Sequence, residues 1–89
     1  MALNFPNPSR SFEAKHNRVR FWGYDSAIEI TFFIPTDALL KICPEADSAE
    51  MGLLEAFDCT LERIHKIARE VYQRSREHSY AYCLAAKDF

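Results

Sequence analysis

Two stretches of alternating polarity and one long stretch of helical spacing organise this chain. From residue 17, Arg18, Arg20 and Trp22 alternate with Val19, Phe21 and Gly23, the period of two that marks a half-buried strand. Tyr24-Asp25-Ser26-Ala27 has turn chemistry, because an aspartate can bond its own downstream backbone. Beyond it, Ile28, Ile30, Phe32 and Ile34 point one way and Glu29, Thr31 and Phe33 the other. The pattern predicts an antiparallel hairpin over residues 17–34.

Pro35 ends the second strand, since it cannot donate to a ladder. Thr36 then reads as the N-cap of a short helix over residues 36–43, with Asp37 suited to the positive end of its dipole. Cys43-Pro44 stops it, because the residue before a proline disfavours the α region. Asp47, with Glu50 three residues on, or Ser48 beginning one residue later, offers capping chemistry for the next element. Leu54, Phe57, Leu61, Ile64, Ala68 and Val71 follow at spacings of three and four, one apolar face of a helix. Glu62 with Lys66 and Glu70 with Arg74 stand four apart on the opposite face. A single long helix over residues 48–77 is the expectation. Tyr80-Ala-Tyr-Cys-Leu84 reads as a strand over residues 79–84 that joins the hairpin. Residues 1–16, with Pro6 and Pro8, read as a loop in which Phe5 and Phe12 fold back as apolar plugs.

These elements define one α+β domain over residues 1–89: an antiparallel sheet of about three strands, hairpin plus C-terminal strand, with a short and a long amphipathic helix on one face. The long helix would measure roughly 45 Å at ~1.5 Å per residue. A globule of this chain length is only about 31 Å across. A helix that overshoots its own domain predicts a second subunit to pack on.

Composition limits what the domain can do. A chain of 89 residues has a modest core, and small domains commonly supplement it with disulfides, metal or oligomerisation. The three cysteines, Cys43, Cys59 and Cys83, are odd in number, widely spaced and free of any Cys-x-x-Cys pair. That argues against a disulfide framework or zinc site and leaves oligomerisation. The start lacks the basic and apolar regions of a signal peptide, and no apolar run is long enough to span a membrane. A reducing cytoplasm is the expected setting. A formal net charge of −2 gives no bulk support for nucleic-acid binding.

Leu3-Asn-Phe-Pro-Asn-Pro-Ser-Arg-Ser-Phe12, Arg18-Val-Arg-Phe-Trp-Gly23, Ala56-Phe57-Asp58, Arg63-Ile64, Tyr72 and Leu84 with Asp88-Phe89 occur in that order. In this combination the chain resembles the small proteobacterial family called domain of unknown function 1488, over essentially its whole length. The motifs are short, and their specificity comes from order and spacing together. The resemblance implies a compact α+β fold and a bacterial source, and it brings no activity, ligand or catalytic residue. Leu84-Ala85 stands where the pattern favours Leu-Thr.

Among candidate sites, His65 borders the apolar face of the long helix and could serve as a metal ligand or general base. The plainer reading is an edge-of-core histidine, because no second histidine stands four residues away. His78 suits the negative end of a helix. Cys59 falls on the polar side of its helix, and Cys43 and Cys83 read as small buried hydrophobes. Arg63, Lys66, Arg69, Arg74 and Arg76 are interleaved with Glu62, Glu70 and Glu77, a solvated face. The residues singled out are Arg18, Arg20, Trp22 and Phe33, on the side of the hairpin away from the helices. Such a surface could stack single-stranded bases. Arginine and aromatic residues are equally the common anchors of protein interfaces. No phosphate-binding loop or nucleophile motif occurs.

The reading is therefore a non-enzymatic binding or accessory protein, acting as a homodimer or with an unidentified protein partner. It expects no cofactor, no metal and no membrane. A nucleic-acid-binding module using the Arg/Trp face is the alternative. A small-ligand or enzymatic role near His65 is a second.

Overall fold

The hairpin is the spine of the fold. The computed structural model describes residues 3–6, 10–47, 49–75 and 80–89. Strands β3 (Arg18–Asp25) and β4 (Ile28–Pro35) pair antiparallel along their whole length, with Val19 opposite Ile34 and Trp22 opposite Thr31. Burial follows the predicted alternation. Val19, Phe21, Ile30, Phe32 and Ile34 are buried, and Arg18, Arg20, Trp22, Thr31 and Phe33 are half-buried on the opposite face. Ile28 departs from the pattern, because it sits at the turn beyond the core and is exposed.

Part of the segment expected to be a loop is strand. β1 (Leu3–Asn4) and β2 (Arg10–Glu13) both pair antiparallel with the free edge of β3, at its C-terminal and N-terminal ends respectively. Residues 1–2 and 7–9 lie outside the described part. Phe12, in the short run Arg10-Ser-Phe-Glu13, packs against the core as expected. Gly23 makes room for the first of these contacts. A side-chain carbon at Gly23 would stand 2.8 Å from both the Asn4 carbonyl oxygen and the Phe5 ring.

Helix α1 (Thr36–Ile42) follows β4 directly. Pro35 takes the cap position, Thr36 is the first helical residue, and the Asp37 carboxylate accepts the Ala38 amide at 2.9 Å. The long helix is two helices, α2 (Glu50–Cys59) and α3 (Leu61–Arg74). Thr60 interrupts them with ψ at 19°. Its hydroxyl donates to the Ala56 carbonyl at 2.7 Å, while its amide is shared between the Ala56 and Phe57 carbonyls. A threonine bonded back to the preceding turn competes with the ladder and bends a helix. The apolar spacing runs through this bend uninterrupted, which is why the pattern reads as one helix. At the N-terminus of α2 the Asp47 carboxylate accepts the Ala49 amide at 3.1 Å. Ser48 and the predicted helical end at residues 76–77 are outside the described residues.

With the bend, the helices fit the body. The molecule measures 35 × 24 × 24 Å, so the argument that a projecting helix needs a second subunit falls away.

The last strand, β5 (Ala81–Cys83), pairs with β4 in parallel, not antiparallel. The expectation of an all-antiparallel sheet of about three strands is corrected to a mixed sheet in the order β1/β2–β3–β4–β5. The reason is the connection. The chain leaves β4, crosses over through α1, α2 and α3, and returns in the same direction, as a helical crossover imposes on a parallel pair. Ala38, Leu39, Leu53, Phe57, Ile64, Ala68 and Tyr72 of the three helices join the inward residues of β3 and β4, with Leu84, in one buried cluster. All three helices therefore lie on one face of the sheet.

Candidate functional site

The other face of the sheet carries Arg18, Arg20, Trp22 and Phe33, as the alternation placed them, with no described helix over it. Adjacent strands set what meets what. Arg20 stands opposite Phe33 across the hairpin, and Glu13 of β2 stands opposite Arg18 on the other side.

Each arginine lies over a ring and reaches a carboxylate. The Arg18 guanidinium carbon is 3.7 Å from the centre of the Phe33 ring, and its Nε donates to Glu13 Oε1 at 2.7 Å. Arg20 runs along its strand over Trp22, 5.2 Å from the ring centre, to bring Nη2 within 4.0 Å of Glu29 Oε1. The Arg18 hydrogen bond, reinforced by the charge of Arg18, His16 and Arg20, holds the Glu13 carboxyl below the usual glutamate range. Two guanidiniums and two carboxylates leave this patch electrically balanced. The aromatic rings are flattened under the arginines and half-buried, a geometry that favours stacking and desolvation over a strong positive field.

Glu13 is the member of this group that the sequence reading missed. Its segment reads as loop because the strand is four residues long with one apolar side chain. The two-residue alternation of Arg10-Ser-Phe-Glu was the available signal. Cys83 aligns with Phe33 at the β5 edge of the same face and is exposed, so it is not the buried hydrophobe expected. Cys43 is half-buried and Cys59 exposed.

His65 belongs to a separate, structural contact. Its ring lies flat against Phe5, with centres 3.9 Å apart and planes 5° apart, and tilted against Phe21. Burial, with Arg69 nearby, drives its pKa from the ordinary 6.5 to about 4. Arg69 joins the same arrangement. It lies 5.2 Å from the Phe5 ring centre and donates from Nε to the Leu3 carbonyl at 3.3 Å. His65 and Arg69 thus fasten β1 to α3, and the imidazole is neutral at physiological pH. No group of three or more metal-ligating side chains forms among the described residues. His16 is exposed at the end of a short 3-10 turn, and His78 is outside the described residues.

The architecture and this face together define a class: a small α+β protein with three helices on one side of a mixed sheet and an aromatic–arginine surface on the other. Within that class, the chain belongs to the family described as Protein of unknown function (DUF1488), which matches residues 3–84. No curated protein and no solved structure matches the chain. No described helix is long and apolar enough to cross a membrane.

Proposed function

We propose that this protein acts by binding rather than catalysis, and that the open sheet face joins two copies of the chain into a homodimer in the bacterial cytoplasm. The observation that supports this reading is the charge-balanced ladder of Arg18 on Phe33 and Arg20 on Trp22, closed by Glu13 and Glu29. A two-fold interface places one patch against its own copy. A patch with equal numbers of guanidiniums and carboxylates can meet itself without net repulsion, and half-buried aromatic rings supply the area to bury. The same balance disfavours a polyanionic ligand, whose binding draws on unneutralised positive charge.

The test is the mass of the intact chain by light scattering across a concentration series. A mass of two chains is expected, falling to one when Trp22→Glu and Phe33→Glu are combined. Both side chains point away from the core, so a circular dichroism spectrum unchanged by the substitutions confirms that folding is retained. A single-chain mass at high concentration rejects the reading.

A further inference from the structure

Two of the three cysteines converge on one cleft. Cys43 follows the last residue of α1 and is half-buried, and Cys59 is the exposed last residue of α2. Asp47, five residues ahead of Gly52, folds close over the first turn of α2: a side-chain carbon at Gly52 would collide with its carbonyl oxygen and Cβ. From that contact the chain runs back to Cys43 through a turn closed by the Ala46 amide on the Cys43 carbonyl at 3.1 Å. In the other direction α2 runs forward through Ala56 to Cys59. Gly52, Ala56 and Cys59 share a helix face at spacings of four and three. Between the two segments is an open cleft of about 320 Å³ with both Cys43 and Cys59 in its wall. Cys83 stands apart, on β5 at the edge of the opposite sheet face.

We propose that Cys43 and Cys59 form a reversible dithiol–disulfide site that reacts with low-molecular-weight disulfides of the glutathione class. The exposed Cys59 thiolate attacks one sulfur of the small disulfide. Its S–S bond breaks, a mixed disulfide forms on Cys59, and one small thiolate leaves. Cys43, as thiolate, then attacks the Cys59 sulfur, the mixed disulfide breaks, and the second small thiolate departs. Each leaving thiolate takes up one of the protons the cysteines gave up. The two cysteines are oxidised by two electrons and the small disulfide is reduced by two. Cys59 ends α2 immediately before the Thr60 bend. The bond would pin the α1–α2 turn onto α2 beside Asp58, whose carboxylate holds Arg10 of β2 through two hydrogen bonds of 3.0 and 2.9 Å.

The experiment treats the folded full-length chain with excess oxidised glutathione, blocks remaining thiols with iodoacetamide, and reads masses. Trypsin leaves both cysteines on one peptide, residues 42–63. That peptide is expected unalkylated and two hydrogens lighter, while Cys83 carries glutathione. Cys43→Ser is expected to accumulate the Cys59 adduct about tenfold over the wild type, since nothing resolves it. Glutathione held stably on Cys59 with Cys43 still alkylated in the wild type overturns the proposal. So does a bond that forms only after denaturation.

Discussion

At the turn between β3 and β4, Ser26 holds φ at 57°, in the left-handed region where a Cβ is strained. Glycine has no such strain, so Ser26→Gly is expected to stabilise the protein by about 1 kcal/mol, read as a higher urea midpoint at unchanged slope. His65 gives a second prediction. The folded state holds it neutral down to about pH 4, whereas the unfolded chain protonates it near 6.5. The unfolded state therefore binds the extra proton between those values. The contribution is present in full above about pH 6.5 and is lost as pH falls toward 4, by about 2–3 kcal/mol after allowance for partial exposure. His65→Phe keeps the stack on Phe5 and is expected to flatten the slope of stability against pH in that window. An unchanged slope would assign the acid sensitivity to other groups. That His65 borders the core was legible from its phase on the helix. The ring it stacks on was not, because Phe5 arrives from sixty residues earlier in the chain.

Elements differ in how far local pattern carries them. β3 and β4 were legible because each alternates over its own few residues and a short turn joins them. The bend at Thr60 was not, because Phe57, Leu61 and Ile64 keep helical spacing across it, and only one hydroxyl chooses between ladder and back-bond. β2 escaped for a related reason: with one apolar residue, its pairing depends on the β3 edge more than on itself. The Arg10–Asp58 fork ties that strand to α2. A double-mutant cycle on Arg10→Ala and Asp58→Ala is expected to return a coupling of about 0.5–1 kcal/mol, the scale of a two-bonded but solvent-exposed pair. Coupling indistinguishable from zero would mean that pairing with β3 alone holds β2.

For the whole molecule, the bend shifts the argument for association. A projecting helix no longer supplies it, and the balanced face of Arg18, Arg20, Trp22 and Phe33 does. Local neutrality there, with a net charge of −2 overall, predicts that single-stranded oligonucleotides are not retained at physiological salt. Salt-dependent retention that disappears in Arg20→Gln would reverse the choice between self-association and nucleic acid.

The sequence by itself determined the α+β class, the hairpin with its two unlike faces, and the position of the four face residues on one side. Those follow from periodicity, which acts over a few residues. Only the tertiary structure decided that β5 runs parallel, that the N-terminal segment adds two short strands, and that Glu13 reaches Arg18. It also brought Cys43 and Cys59 to one cleft. β5 meets β4 only once the helical crossover is complete, the N-terminal strands need the β3 edge and the room left at Gly23, and the two cysteines meet only when α1 and α2 pack together.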